Sequence, residues 1–294
     1  MSGAVFSAVR PPWLSVAMKF AQSALGLHAG RMAHDYVNRG IQRVEVCGPV
    51  AVCGDVHGRL DLLDRLIKAL PPGVPLIHCG DLIDRGPDSS GVLQRMIDIG
   101  ARGVRGNHEE WMSEWLLGSG IDAFGHMLGR ETLQSYGLDA RASLKNINAA
   151  ADVVPAGHRA LLDSLPLVLD LVVDEVPYWV IHAGIGVNSV RAMHIDRELD
   201  AFAGEHGSAL LPPTDLTRWV PWLVTHRRDE LLWTKTPAAS QLDVGRTVLF
   251  GHVPDRRPWD LGHCIALDTG AGKSWTDAAL TAVLLPERRF IRVS

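Results

Sequence analysis

The sequence predicts an α/β protein in which two packed, mixed β-sheets are flanked by helices. In the first half of the chain, short apolar runs alternate with segments of helical periodicity, a pattern typical of parallel strands joined by crossover helices. In the later half, strand-like runs follow one another with few helices between them, which indicates antiparallel or mixed pairing. A mostly helical stretch separates the two parts and is expected to form a cap insertion.

The elements of the first half are predicted from their apolar spacing and their turn residues. Gly48 and Pro49 separate the first two strands, and Pro87 suits the first turn of a helix. We therefore expect strands at 43–47, 50–53, 74–79 and 101–105, and helices at 59–70, 87–99 and 109–117. Parallel strands linked in this way have their carboxyl ends at one edge of the sheet, where ligands bind.

The rest of the chain is divided by the same criteria. Residues 118–166 are predicted as the helical cap, with the clearest helical segments at 131–136 and 158–164. The later strands are expected at 167–173, 178–182, 246–250, 264–267, 280–285 and 289–293. Residues 1–43 have apolar positions near helical spacing, and they are predicted to form an N-terminal helical extension to a domain that spans 44–294.

Composition argues against several classes of function. The 294-residue chain has 47% apolar residues, and its net charge of −4 is unlike that of a protein with a broad nucleic-acid-binding surface. No run approaches the roughly 20 apolar residues of a transmembrane helix, so no membrane partner is expected. The four cysteines form no C-x-x-C pair, and we expect reduced thiols in a cytoplasmic protein.

Five short motifs, each directly following an apolar run, contain the residue types that bind divalent cations. In chain order they are Gly54-Asp55-Val56-His57-Gly58, Gly80-Asp81-Leu82-Ile83-Asp84-Arg85-Gly86, Gly106-Asn107-His108-Glu109, His182-Ala183-Gly184 and Gly251-His252. Carboxylates, amide oxygens and imidazoles bind hard and borderline cations, and two ions roughly 3.5–4 Å apart need a ligand that bridges them. One such motif also fits an ordinary turn, whereas five in order predict a two-metal site.

With these motifs, the chain resembles the phosphoprotein phosphatase branch of the calcineurin-like metallophosphoesterases. This branch includes bacteriophage lambda-like and bacterial serine/threonine phosphatases, and the diadenosine tetraphosphatases are related to it. The resemblance runs from about residue 44 to the C-terminus and includes Leu231-Leu232-Trp233 and Asp268-Thr269-Gly270-Ala271. It implies an α/β/β/α sandwich with two divalent metal ions, with manganese as the first expectation and iron, zinc, nickel or magnesium as alternatives.

The resemblance also implies which residues bind the two ions. The first ion would be held by Asp55, His57 and Asp81, and the second by Asp81, Asn107, His182 and His252. Because Asp55 and His57 alternate with Val56, their side chains are expected to point the same way in a strand-like segment. Asp81 is the predicted bridging carboxylate. The neutral side chain of Asn107 would limit the negative charge around the ions, and Asn107 is also expected to contact the substrate.

The family pattern assigns His108 to catalysis instead of metal binding. A leaving alkoxide needs a proton, and an imidazole has the pKa to supply it near neutrality. Asp84 is predicted to hydrogen-bond His108 and fix its tautomer, and Arg85 to bind phosphate oxygens through its guanidinium group. Diadenosine tetraphosphatases generally lack an Asp at the position of Asp84, so this motif favours a phosphomonoesterase.

Two positions depart from the family pattern. Relatives have a second phosphate-binding Arg shortly after the Leu-Leu-Trp segment, and the matching residue here is Lys235. A lysine ammonium is a point charge and cannot bind two phosphate oxygens as a guanidinium group does. Another arginine could therefore be the second phosphate ligand. The alternatives are Arg227, Arg228 and Arg246. Many diesterases of the wider superfamily have a second His in the Gly-His motif, and Pro254 at that place weakens a diesterase interpretation.

The motifs and the resemblance together predict a metal-dependent phosphatase that hydrolyses phosphomonoesters, such as phosphoserine or phosphothreonine, with a metal-activated water. Hydrolysis of dinucleoside polyphosphates is the alternative, and a non-catalytic phosphate-binding protein is a third hypothesis. The expected partner is a phosphorylated protein or a small phosphoester, and no nucleic acid. Other histidines and the later tryptophans, among them His78, His158 and Trp233, are expected to be structural.

Overall fold

The described part of the chain forms two mixed β-sheets with flanking helices, as predicted. The computed structural model describes residues 40–117, 129–139, 152–186, 223–224, 227–235 and 246–294, so residues 1–39 of the predicted extension lie outside it. The strands are β1 Ile41–Val46, β2 Val50–Cys53, β3 Leu76–His78, β4 Arg102–Gly103, β5 Val168–Val173, β6 Val176–Ile181, β7 Thr247–Phe250, β8 Trp259–Asp260, β9 Cys264–Ala266, β10 Leu280–Leu285 and β11 Arg289–Val293. The helices are α1 Leu60–Ala69, α2 Ser89–Asp98, α3 Asn107–Leu116, α4 Arg130–Ser135, α5 Ala156–Ser164 and α6 Arg228–Trp233.

The first sheet contains the predicted parallel strands. Its strand order is β11-β10-β2-β3-β4, in which β2, β3 and β4 are parallel and β10 is antiparallel to β2 and β11. Helix α1 connects β2 to β3, and α2 connects β3 to β4. Leu62, Leu63 and Leu66 recur at helical spacing in α1, and all three are buried. The prediction of a βαβαβ unit is confirmed.

The second sheet contains the later strands together with β1. Its order is β1-β5-β6-β7-β9-β8, with β5 and β6 antiparallel and joined by a turn at Asp174 and Glu175. Strands β6, β7 and β9 are parallel, and β8 is antiparallel to β9. Strand β8 and helix α6, with 2 and 6 residues, are not predicted from the sequence.

An apolar layer between the sheets holds them together. It includes Val52 and Ile77 from the first sheet and Leu169, Val180 and Leu249 from the second, and none of these is more than 2% exposed. Burying such a side chain stabilises the fold by about 1.5–3 kcal/mol. This packing brings the carboxyl ends of strands in the two sheets close to each other, which is where the motif residues lie.

Helices α4 and α5 belong to the predicted cap insertion, of which residues 129–139 and 152–166 are described. Both helices pack against α2. Whether residues 118–166 cover the site as a unit stays a prediction. None of the helices in the described ranges is long and apolar enough to cross a membrane.

Candidate active site

The residues singled out in the five motifs come together where the strands end. Asp55 and His57 follow β2, Asp81 follows β3, Asn107 begins α3 after β4, His182 follows β6 and His252 follows β7. All of them are buried except His252, which is half-buried. The parallel arrangement of β2, β3 and β4 and of β6 and β7 explains this convergence, because parallel strands end at a common edge.

Sharp turns with an unfavourable backbone conformation present these side chains. Eight non-glycine residues in the described ranges have positive φ angles, and five of them belong to the motifs: His57, Asp81, Asp84, Arg85 and His252. The left-handed conformation costs non-glycine residues of order 1–3 kcal/mol and persists only where the surrounding structure enforces it. Its concentration here marks these turns as a functional site.

Gly106 and Gly251 allow the motif loops to approach each other closely. A Cβ atom on Gly106 would lie 2.2 Å from Asp81 Oδ1, and one on Gly251 would lie 2.0 Å from Asp55 Oδ1. Both distances are far below van der Waals contact, so a larger residue would displace the carboxylates. The Gly-Asn and Gly-His motifs therefore need their glycines for packing against the two aspartates.

Asp55 and His57 converge, but not for the predicted reason. Strand β2 ends at Cys53, residues 54–56 are irregular, and His57 lies in a turn at residues 57 and 58 with a φ angle of 49°. The prediction that alternation along a strand-like segment aligns the two side chains is therefore wrong. The turn itself places His57 Nε2 3.6 Å from Asp55 Oδ2.

Asp81 lies at the centre of the cluster. Its Oδ2 atom is 3.6 Å from His57 Nε2 and 3.7 Å from His108 Nε2, and its Oδ1 atom is 3.4 Å from His182 Nε2. Two groups of residues that could hold a metal ion share Asp81: one with His57 and His108, the other with His182 and His252. Within each group, the ligand atoms lie within 4.8 Å of one another. A carboxylate that bridges two ions requires this central position.

His182 and Asn107 direct lone pairs at each other. His182 Nδ1 is 2.8 Å from the carbonyl oxygen of Cys79 and donates to it. Burial lowers the pKa of His182, so the ring is neutral and its Nε2 atom has a lone pair. That atom is 2.8 Å from Asn107 Oδ1, which also accepts. Two facing acceptors repel each other unless a cation binds both. The His182 Nε2 and Asn107 Oδ1 atoms therefore fit as ligands of a divalent metal ion.

A backbone carbonyl also orients the ring of His57. Its Nδ1 atom donates to the carbonyl oxygen of Ile83 at 2.9 Å, which leaves the Nε2 lone pair directed into the cluster. This lone pair accepts a hydrogen bond from Arg85 Nη1 at 2.6 Å. A metal ligand needs the same lone pair, so metal binding by His57 and the hydrogen bond from Arg85 exclude each other.

The buried carboxylates repel one another. Burial raises the pKa of Asp55, and the charges of Asp268 and Asp81 raise it further. Burial also raises the pKa of Asp81, and the charge of Glu109 adds to this shift. Bound cations reverse such shifts, because they favour the ionised form of each carboxylate. The electrostatics of the cluster therefore also fit a site for divalent cations.

His108 and Asp84 form a fully buried pair beside the cluster. His108 Nδ1 is 2.6 Å from Asp84 Oδ2. Burial raises the pKa of Asp84 to about 8 and lowers the pKa of His108 well below its usual range. The other nitrogen of His108, Nε2, is 3.2 Å from Arg85 Nη2.

Glu109 has a structural role that the sequence does not reveal. Its buried carboxylate accepts hydrogen bonds from the backbone N–H groups of Asp81 and Leu82, each at 2.8 Å, and from that of Gly106 at 2.9 Å. Glu109 is thus more than the helix-start charge that its position predicts. It ties the turn at Asp81 to the start of α3, and so fixes the relative positions of two motifs.

Asp268 is an acidic neighbour of the cluster that the ligand set omits. It is 3% exposed, its Oδ1 atom accepts from the backbone N–H of Gly270 at 2.9 Å, and its charge raises the pKa of Asp55. Its position in the Asp-Thr-Gly-Ala segment was part of the resemblance, but that segment alone does not indicate how close Asp268 lies to Asp55.

Two of the arginines considered for phosphate binding are engaged in ion pairs. Arg228 pairs with Glu110 on α3, and Arg246 pairs with Asp170 on β5. Arg246 precedes β7, whereas His252 follows this strand, so the two residues lie at opposite ends of it. The position of Arg246 therefore argues against phosphate binding.

Two lysines act electrostatically on the cluster. Burial, Arg85 and Lys235 lower the pKa of His252 to about 4. Burial is also the main cause that lowers the pKa of His57, and Lys273 adds to that shift. Lys235 is exposed and Lys273 is half-buried. Lys273 lies outside the five motifs, so the sequence gives no indication that it is close to the site.

Two tryptophans border the site. The ring centroid of Trp111 is 5.4 Å from that of His108 and 4.6 Å from that of Trp233, which in turn is 6.1 Å from that of His252. Both rings are half-buried. Trp233, expected to be structural, packs on the apolar cluster of the second sheet and also forms part of the wall beside the two histidines.

The fold and the clustered ligand types define a metallophosphoesterase. The model of the calcineurin-like phosphoesterase family matches residues 48–256, and the chain belongs to this family. Its members use divalent metal ions, in agreement with the candidate metal-binding groups around Asp81.

The chain is similar to enzymes with two kinds of substrate. It is 26% identical over 261 residues to the asymmetrical bis(5'-nucleosyl)-tetraphosphatase PrpE of Halalkalibacterium halodurans, covering 82% of this chain and 92% of the relative. It is also 26% identical over 234 residues to serine/threonine-protein phosphatase 1 of Salmonella typhimurium, covering 76% of this chain and 86% of the relative. Sequence identity therefore does not separate the two activities.

Solved structures share the fold. One described as a candidate diadenosine tetraphosphatase has a TM-score of 0.55 and 20% identity, covering 86% of this chain and 97% of that one. A cold-active protein-tyrosine phosphatase of a Shewanella species has a TM-score of 0.51 and 19% identity. The match covers 86% of this chain and 80% of that one. Both likenesses support the architecture of two sheets with flanking helices.

The buried carboxylate of Glu109 gives a prediction about stability. Glu109→Ala should lower the free energy of unfolding by about 3–5 kcal/mol, because it leaves three buried N–H groups without an acceptor. Glu109→Gln should cost less, since its amide oxygen still accepts. Urea denaturation of metal-free protein measures both. A free energy of unfolding for Glu109→Ala within about 1 kcal/mol of the unmodified protein would contradict this account.

Proposed function

We propose that this protein is a metal-dependent phosphatase that hydrolyses phosphomonoesters, with phosphoserine and phosphothreonine as its substrate class. The observation that carries the proposal is the buried pair of His108 and Asp84, 2.6 Å apart, beside a cluster of metal-binding side chains. A phosphomonoester releases an alkoxide that must be protonated, and this pair is suited to supply the proton.

The proposed metal ligands are the six residues of the motif cluster. They are Asp55, His57, Asp81, Asn107, His182 and His252, with Asp81 shared by both ions. Two divalent ions bound there would acidify a water molecule and neutralise negative charge on the phosphoryl oxygens. Manganese is the first metal to test, with iron, zinc, nickel and magnesium as alternatives.

His108 is the proposed general acid. Its Nδ1 atom is bound to Asp84, so only Nε2 can deliver a proton to the leaving oxygen. Burial and Arg85 lower the pKa of His108, so protonation of Nε2 would require Asp84 to accept from Nδ1 as a carboxylate and the negative charge of a bound phosphate to stabilise the charged ring. Both side chains are fully buried, which keeps the ring in one orientation.

Arg85 is the proposed phosphate ligand beside this acid. Its guanidinium group lies between His57 Nε2 at 2.6 Å and His108 Nε2 at 3.2 Å. The hydrogen bond to His57 uses a lone pair that a metal ion would take, so the metal-bound enzyme leaves this N–H group of Arg85 for phosphate oxygens. Asn107, next to His108, is proposed to contact the same phosphate.

Hydrolysis of dinucleoside polyphosphates is the second candidate. The relative from Halalkalibacterium halodurans, of which the alignment covers 92%, is named as such an enzyme. Assays of one manganese-loaded preparation against a phosphopeptide, a small phosphomonoester and diadenosine tetraphosphate would separate the candidates. We expect kcat/KM to be highest for a phosphomonoester, and a clear preference for diadenosine tetraphosphate would overturn the first proposal. The intact donor set argues against a non-catalytic phosphate-binding protein.

The role of His108 predicts an effect that depends on the leaving group. His108→Asn should lower kcat by about 10²–10⁴-fold for alkyl phosphates, whose leaving groups need a proton, and less for activated aryl phosphates. Metal content, measured by elemental analysis, should not change. Equal losses for both substrate types, or loss of metal, would show that His108 is not the general acid.

The role of Lys235 predicts a loss of transition-state binding. Lys235→Ala should lower kcat/KM by roughly ten- to hundredfold, the loss expected when a charged hydrogen bond to phosphate is removed. Lys235→Arg should retain activity. Lys273→Ala, measured beside it, tests the other lysine that acts on the cluster. Kinetics for Lys235→Ala within about twofold of the unmodified enzyme would remove Lys235 from the site. A loss confined to Lys273→Ala would then transfer the role to Lys273.

A further inference from the structure

Thr132 connects a helix outside the five motifs to the buried pair of His108 and Asp84. It lies on α4 and is fully buried. Its hydroxyl group donates to Asp84 Oδ1 and accepts from the backbone N–H of Asp84 at 3.0 Å. Ser89 Oγ, at the start of α2, lies 2.9 Å from the Thr132 hydroxyl and also accepts from the Asp84 N–H group, at 2.9 Å. The carboxylate and the N–H of Asp84 are therefore both bound by this pair of hydroxyls.

The two oxygens of Asp84 have separate partners. Oδ2 contacts His108 Nδ1 at 2.6 Å, and Oδ1 contacts the Thr132 hydroxyl. A carboxylate rotates readily about its last bond, so a single contact to His108 would leave its plane poorly defined. The second contact fixes this plane, and with it the direction in which Oδ2 meets the imidazole ring. Asp84 also has a φ angle of 69°, a conformation that its surroundings must hold in place.

A neighbouring serine provides a second contact between α4 and α2 that does not involve the Thr132 hydroxyl. Ser135 Oγ, one turn later on α4, accepts from the backbone N–H of Ser90 at 3.0 Å and donates to the carbonyl of Thr132 at 2.7 Å. Leu133 is buried in the apolar cluster beneath the helices. These contacts join α4 to α2 without touching Asp84. The Thr132 hydroxyl, in contrast, is directed at Asp84 and Ser89.

We propose that Thr132 is a positioning residue for proton transfer, which holds the Asp84 carboxylate in the orientation that aligns His108 with the leaving oxygen. This inference rests on the proposed function of the His108 and Asp84 pair. It assigns to α4, which lies in the expected cap segment, a direct connection to the catalytic acid. The sequence offers no motif for it, because Thr132 is distant in the chain from the Gly-Asp motif that contains Asp84.

The test replaces Thr132 by the isosteric valine and by serine. Thr132→Val removes the hydroxyl and keeps the volume, and it should lower kcat for alkyl phosphates by roughly ten- to hundredfold with KM unchanged, the effect usual for loss of an orienting partner. Activated aryl phosphates should lose less. Thr132→Ser should restore kcat to within about threefold of the unmodified enzyme, because it retains the hydroxyl. Ser135→Ala is the matched control, and its kcat should not change.

A double-mutant cycle distinguishes positioning from a general structural effect. In an Asp84→Asn background, Thr132→Val should cause no further loss of kcat, since Thr132 acts through Asp84. Additive losses, or equal losses for Thr132→Val and Ser135→Ala, would overturn the proposal. The His108 Nδ1 proton provides a readout independent of turnover: its NMR resonance should shift in Thr132→Val and not in Ser135→Ala. If the protein hydrolyses no phosphomonoester, the proposed function fails, whereas an unmoved resonance refutes the role of Thr132.

Discussion

The site depends on one electrostatic constraint: acceptor atoms from five separate motifs are buried together around the carboxylate of Asp81. Its two oxygens lie 3.4–3.7 Å from the Nε2 atoms of three histidines. The backbone carbonyls behind His57 and His182 fix both rings so that their lone pairs face inward. Such a cluster of lone pairs and carboxylates is unfavourable by itself, because neighbouring acceptors repel and buried charges are costly. Bound divalent cations would remove both penalties.

The fold supplies the forces that keep these acceptors together. Apolar packing between the sheets aligns the strand ends, and left-handed turns at five motif residues direct the side chains into one small volume. The Glu109 carboxylate joins the turn at Asp81 to the start of α3, and the hydroxyls of Thr132 and Ser89 hold the turn at Asp84. Stability contributed by the core thus offsets backbone strain and charge repulsion at the site, a common compromise in enzymes.

Much of this arrangement could be predicted from the sequence, and the exceptions have physical reasons. Each proposed ligand is a metal-binding residue type directly after an apolar run, so the strand ends could be inferred from the sequence, whereas the assignment of ligands to the two ions is what the family resemblance implies. The geometry of the turn at His57 could not, because a Gly-Asp-x-His-Gly segment reads equally well as a strand end. The sequence does not indicate the roles of Glu109, Asp268 and Thr132, because these roles arise from contacts between residues far apart in the chain.

Divalent cations are proposed to satisfy the acceptors around Asp81, and metal removal tests this most directly. The protein should be stripped with a chelator, shown to be metal-free by elemental analysis, and titrated with manganese while thermal unfolding and phosphatase activity are followed. We predict no turnover in the stripped protein, recovery of activity with about two ions per chain, and a rise in the unfolding midpoint as the metal binds. Asp81→Asn should show a weakened response in both measurements. Full turnover by protein shown to be metal-free, or an unfolding midpoint that does not respond to manganese, would contradict the account.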